Sequence, residues 1–184
     1  HFQINLAFEN PAIPEFRRES FDTAFTEGWG EYAAGLAGEM GMYKDPYDRY
    51  GRLGMEMFVS IRLVVDTGMN ALGWSRDRAI AYMKDNAMET DTQILSETLR
   101  YSCDMPGQAL AYKMGAMRIV ELREKARAAL GTRFDIRRFH DWILASGSLP
   151  MATLDQHVQA FIDREKMSRA PSGSNSAIFS RTSN

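Results

Sequence analysis

The 184-residue chain has a single cysteine, Cys103. It can form no internal disulfide, and no Cys or His stands near it at metal-binding spacing. Cys103 therefore reads as a small core residue. Basic residues do not outnumber acidic ones: Lys and Arg total 22 against 24 Asp and Glu, for a net charge of -2 and a pI near 6.0. A protein that grips nucleic acid carries a concentrated basic excess, so nothing here points to such a partner. No apolar run approaches the roughly 18 to 20 residues that cross a bilayer, and the first residues lack the charged-then-apolar order of a signal peptide. The expectation is a soluble chain without a membrane span. Nucleophile elbow, phosphate-binding glycine loop and complete His-Glu-x-x-His are all missing. No segment alternates apolar and polar residues with β-branched enrichment, which removes strands from the reading.

What is present is a globular composition, 45% hydrophobic and 25% charged, enough for one domain with a real core. The apolar start, His1 to Phe8, reads as the end of a helix whose beginning lies in something longer, and Pro11 and Pro14 then force a loop. A helix is predicted from Ser20 or Asp22 to Gly41. Asp45 and Pro46 then read as an N-cap and first-turn proline. The helix they open runs to about Gly73, with apolar Leu53, Met57, Ile61, Val64, Val65 and Gly68 recurring at the helical spacing of three and four. Ser75 caps a helix to about Met88, and Thr90 or Thr92 opens one carrying Glu97, Arg100 and Tyr101. Pro106 to Leu130 follows, closed by Gly131, with Tyr112, Gly115, Ile119, Leu122 and Ala126 as its stripe. Asp135 to Gly147 and a last helix after Pro150 complete an all-α bundle of about seven helices over residues 1–168. Residues 169–184 are too polar to bury a core and read as a disordered tail.

The run from Glu27 to Glu31 is the chain's most unusual helical segment. The two carboxylates lie four residues apart, on one face and one turn from each other. Gly28, Trp29 and Gly30 stand between them, although a helix-interior glycine costs roughly 1 kcal/mol relative to alanine. The close approach of another backbone or of a ligand would offset that. The pair suits a metal ligand with a supporting carboxylate, or an acid and base, and equally a solvated helix face. Arg62 and Asp66 fit either an intrahelical ion pair or a grip on a substrate carboxylate. Arg100, Tyr101, Gln108 and Tyr112 gather near the Pro106-Gly107 corner, where their donors converge on an oxyanion or simply brace two helices. His140 and His157 read as boundary histidines with no spaced partner for zinc.

Several separated runs carry a family resemblance in the right order: Glu27 to Ala33, Gly41 to Pro46, Arg62 to Gly68, Gly73 to Arg76, Arg100-Tyr101, Pro106 to Lys113, and Phe139-His140-Asp141. Together they resemble the C-terminal part of the bacterial family called "domain of unknown function 885", over roughly residues 1–166. The resemblance implies a portion of a larger helical, gluzincin-like metallopeptidase fold, with a His-Glu-x-x-Pro-Gly-His-His element on one helix and a zinc-binding glutamate on a second. His1-Phe2-Gln3 is similar to the end of that element, and Glu27 to the glutamate. It follows that His1 and Glu27 are the metal ligands within this chain and Glu31 orients the ligand shell. The resemblance further implies a peptide substrate, with Tyr101 or Tyr112 expected to stabilise the tetrahedral intermediate and Arg100 with Gln108 expected to serve substrate binding. The family often has histidine where this chain has Asn70, which can donate a hydrogen bond but carry no charge. Zinc is expected in the complete protein, weak or absent in this chain, and the chain alone is expected to be inactive. The rival expectation is a helical scaffold or binding module without chemistry. Exposed apolar surface would invite self-association.

Overall fold

The computed structural model describes residues 2–168. The tail 169–184 and His1 lie outside the described residues. The order is α1 (Phe2–Glu9), α2 (Glu15–Arg18), α3 (Thr23–Glu39), α4 (Pro46–Ala71), α5 (Arg76–Asn86), α6 (Asp91–Leu99), a π-helical turn (Arg100–Asp104), α7 (Leu110–Leu130), a 3-10 turn (Gly131–Arg133), α8 (Ile136–Ala145) and α9 (Met151–Ser168). The fold is all-α. Of the nine α-helices among the described residues, the four-residue α2 has no counterpart in the sequence reading.

The predicted helix starts rest on real caps. Asp22, Asp45, Ser75, Thr90 and Asp135 each accept from a backbone N–H of the first turn, and Asp45 forms a reciprocal capping box with Asp48. One start was misplaced. Pro106 does not open α7, which begins at Leu110. Gly107 stands at φ +84, outside helical space, and its N–H is claimed by Asp66 rather than by a helical carbonyl.

The core has two parts joined by α7. Phe25, Trp29 and Tyr32 of α3 pack with Ile119, Leu122 and Ala126 of α7 and with the inner faces of α8 and α9. Val65 and Ile61 of α4 meet Ala79, Met83, Ile94 and Tyr101 in the second part. The close crossing of α3 and α7 explains one glycine of the central run: a Cβ on Gly28 would stand 2.5 Å from the Gly115 backbone. Gly30 has nothing within 4 Å of a Cβ.

Leu53 and Val64 share the apolar spacing of α4 but are exposed, whereas Ile61 and Val65 of the same helix are buried. Two expectations about side-chain placement are corrected. Cys103 is exposed in the π-helical turn and is not a core residue. Arg62 and Asp66 do not pair with each other; Arg62 reaches Glu97 of α6 and the Tyr101 hydroxyl, and Asp66 the Gly107 amide ahead of α7.

Candidate functional site

Asp22 fixes the start of α3 by accepting from the Phe25 amide at 2.9 Å, which sets the helix's rotation. Phe25, Gly28, Trp29 and Tyr32 then face the core, leaving Glu27 half-buried and Gly30 exposed on the other side. The two carboxylates of the central run part company here. Glu31 meets Arg52 of α4, with Oε1 2.6 Å from Nη2. Glu27 forms no ion pair among the described residues, and its Oε1 accepts from Gln108 Nε2 at 3.0 Å.

Gln108 is the hub of the site. Its amide nitrogen also reaches the Tyr112 hydroxyl at 3.3 Å, and its oxygen accepts from Arg100 Nη2 at 2.9 Å. The structure thus gathers Glu27, Arg100, Gln108 and Tyr112 at one place, from α3, the π-helical turn, the approach to α7 and its first turn. The Arg100 Nε is buried and has no hydrogen-bond partner among the described residues.

Tyr101 stands behind this cluster. It is fully buried; its hydroxyl donates to Glu97 Oε2 and accepts from Arg62 Nε at 3.0 Å. Arg62 Nε also lies 2.9 Å from Glu97 Oε2, and the Arg62 guanidinium sits 4.9 Å from the centre of the Tyr112 ring. Burial, reinforced by the hydrogen bond to Glu97, pushes the Tyr101 phenol well above its ordinary range despite Arg62. Tyr101 therefore stays protonated and occupied.

Asn70 is similarly committed. Its Nδ2 donates to Asp66 Oδ1 at 2.8 Å and to the Tyr101 carbonyl at 3.1 Å, so it braces α4 against the π-helical turn. Both oxygens of Asp66 accept from the Gly107 N–H, each at 3.0 Å. This holds the loop that delivers Gln108 to Glu27.

On the core-facing side of α3, Trp29 Nε1 donates to Gln3 Oε1 at 3.1 Å and brings the start of α1 against α3. The Tyr32 hydroxyl lies 2.8 Å from His140 Nε2 and accepts from Arg123 Nη1 at 3.2 Å, while Arg123 grips both oxygens of Glu39. Burial, helped by the nearby Arg123 charge, holds His140 below the ordinary imidazole range. His157 stacks on Trp142 and lies 2.8 Å from the Ser146 hydroxyl.

The sequence reading had no role for Glu97 or Arg123. Both had a visible signal, a charged residue on the inner stripe of its own helix: Glu97 one turn past Ile94 and before Tyr101, and Arg123 beside Ile119, Leu122 and Ala126. Among the described residues no three His, Cys, Asp or Glu side chains form a metal cluster, and no helix is long and apolar enough to cross a membrane.

Residues 1–158 match the family model described as "Bacterial protein of unknown function (DUF885)". A crystal structure of a "putative lipoprotein" from Colwellia psychrerythraea is similar at 42% identity and a TM-score of 0.85, over 89% of this chain and 28% of that one. A second structure, a "putative lipoprotein of unknown function" from Shewanella oneidensis, shares the fold at 23% identity and a TM-score of 0.75, over 83% of this chain and 28% of that one. The chain thus spans less than a third of the length of either. No curated protein matches it.

Proposed function

Since the chain belongs to this bacterial family of unknown function, we propose that it forms part of a zinc-dependent metallopeptidase-like site that cleaves peptides, with Glu27 as its metal ligand. The observation that carries the reading is the state of Glu27. It is a half-buried carboxylate with no cation partner among the described residues, steadied through one oxygen by Gln108 and set beside the bare, exposed Gly30. A ligating carboxylate is commonly held this way by a neighbouring donor that orients it. Glu27 supplies one ligand; the nitrogen ligands would come from His1, outside the described residues, and from a His-Glu element on another segment. Gln3, tied to Trp29, brings the start of α1 to the same helix as Glu27.

Zinc, when bound in such a site, supplies a Lewis acid and a water acidic enough to be deprotonated near neutral pH. The chain's own residues do the rest. Gln108 fixes the Glu27 carboxylate. The Tyr112 hydroxyl, already within reach of Gln108, donates to the oxygen on which negative charge develops. Arg100, with its unpartnered Nε, receives a substrate carboxylate. Tyr101 acts behind them: its hydroxyl is consumed by Glu97 and Arg62, so its part is to hold Arg62 under the Tyr112 ring. Glu31 and Asn70 position helices rather than ligands.

The test is metal analysis of a protein in which the His-Glu-x-x-Pro-Gly-His-His element precedes this chain. One zinc per molecule, lost in Glu27→Ala together with peptide hydrolysis, is the expected result. Retention of zinc and turnover in that variant would sink the assignment. The 184-residue chain by itself is expected to bind zinc weakly or not at all. A non-catalytic scaffold is the second reading, favoured by the ion pair that ties Glu31 to Arg52; it is supported instead if the complete protein binds no zinc. Exposed Tyr47, Tyr50 and Leu53 on α4 offer surface for self-association, which sedimentation at two concentrations would reveal.

A further inference from the structure

One helical turn beyond Glu27 on α3, and immediately after Tyr112 on α7, a groove of about 470 Å³ opens between α3, α4 and α7. Its volume lies in the range of small-ligand sites. The floor is apolar: Tyr32 and Ala116 are buried, and Met117 and Val120 contribute exposed flanks. The rim is charged and each of its carboxylates already has a cation, although Arg52 Nη1 is buried without a hydrogen-bond partner among the described residues. Glu31 pairs with Arg52 at 2.6 Å, Glu56 with Lys113 at 2.9 Å, Glu39 with Arg123 at 2.9 Å and Glu121 with Arg118 at 2.6 Å.

A ligand with its own net charge would break one of these pairs or bury an unpaired charge over an apolar floor, and either is costly. An uncharged apolar group suffers neither penalty. The glycine of this groove points the same way. Gly35 sits in the middle of α3, where glycine is unfavourable, yet a Cβ there would meet only Arg52 Nη2, at an ordinary 3.9 Å. Packing within the chain does not require a glycine at this position. What the missing side chain leaves is room in the groove.

We infer that the α3–α4–α7 groove is a subsite for an extended, uncharged peptide segment, its floor taking a leucine- or phenylalanine-sized side chain. The proposal rests on the metallopeptidase reading for the identity of the ligand as a peptide, and on the groove's own residues for its chemistry. The groove runs on from Glu27 and Tyr112, so a peptide held there lies alongside the candidate site. Side-chain preference of the whole protein would then be set by α3 and α7, at positions that touch no reacting atom.

The probe is N-acetyl-Ala-Leu-Ala-amide, titrated into the 184-residue chain carrying 13C-methyl methionine, with the Met117 methyl resonance assigned by Met117→Leu. A saturable shift of that resonance, with a Kd of about 1 mM or tighter, is expected. The same peptides with central Lys or Glu should bind roughly tenfold more weakly. Gly35→Leu and Val120→Trp fill the groove from two helices and should each abolish the shift while leaving the far-UV circular dichroism unchanged. No saturable shift, equal binding of the charged peptides, or full binding by both folded groove variants would overturn the proposal. The readout needs no metal, so the two readings fail separately. Peptide binding here without zinc in the complete protein overturns only the metal assignment, and zinc-dependent turnover without a Met117 shift overturns only the groove.

Discussion

Asp66 and Gly107, 41 residues apart, are joined by a three-centre hydrogen bond in which the Gly107 nitrogen stands 3.0 Å from each carboxylate oxygen. Asp66 is buried in α4, and Gly107 sits at φ +84 just before Gln108. The pairing ends the π-helical turn and fixes the direction in which the chain enters α7. The contact between Gln108 and Glu27 depends on that direction.

Asp66→Ala leaves the Gly107 amide without its partner and removes one of the acceptors of Asn70 Nδ2, which keeps the Tyr101 carbonyl. A charge-assisted bond and a stranded buried donor are together expected to cost about 2–3 kcal/mol. Asp66→Asn keeps one acceptor and should lose about half as much. Urea unfolding midpoints of the three proteins measure the difference.

The glycines of α3 should respond in opposite directions. Gly28→Ala forces a Cβ to within 2.5 Å of the Gly115 backbone, an overpacking expected to destabilise by about 1–3 kcal/mol or more. Gly30→Ala meets nothing within 4 Å and should stabilise by about 0.5–1 kcal/mol. Thermal melts of both variants give the sign directly.

The Arg62–Glu97–Tyr101 network is asymmetric in its cost. Glu97→Ala leaves the Arg62 guanidinium buried without its carboxylate and should cost about 3–5 kcal/mol. Tyr101→Phe removes only the hydroxyl, while Arg62 and Glu97 keep each other at 2.9 Å, and should cost about 1–2 kcal/mol. Comparing chemical denaturation of the two single variants with that of the double variant gives their coupling.

Protonation of His140 should weaken the fold. Its folded pKa lies below the ordinary 6.5, with burial as the main cause and the Arg123 charge adding to it. Above 6.5 both folded and unfolded chains hold a neutral imidazole, and the stability is fully present. As pH falls below 6.5, the unfolded chain takes up the proton first, and stability is lost until the folded value is passed. The groups facing His140 are Trp29, Tyr32 and Phe139, with Arg123, Glu39 and Asp141 supplying the charges. Urea midpoints between pH 7 and pH 5 should fall for the native chain and change less in His140→Gln.

Much of this architecture was written in local chemistry. Asp22, Asp45, Ser75, Thr90 and Asp135 announce helix starts because a short side chain that accepts from a first-turn amide needs no distant partner. Gly41, Gly73, Gly131 and Gly147 mark the ends through their positive φ. The false start at Pro106 shows where local chemistry stops: proline permits a first turn there, but Asp66 from another helix claims the amide that follows. Nor could spacing separate Glu27 from Glu31. An intrahelical view makes them equivalent, and only the approach of Gln108 to one and Arg52 to the other gives them different surroundings.

By itself, then, the sequence determined an all-helical chain, its caps and breaks, and a carboxylate pair on one helix, because those properties depend on neighbours within four residues. The tertiary structure decided which carboxylate remains without a cation, that Tyr101 is sealed behind the site and Tyr112 left beside it, and that α3, α4 and α7 enclose a charge-balanced groove. Those depend on contacts between residues tens of positions apart, which only the packing of the helices brings together.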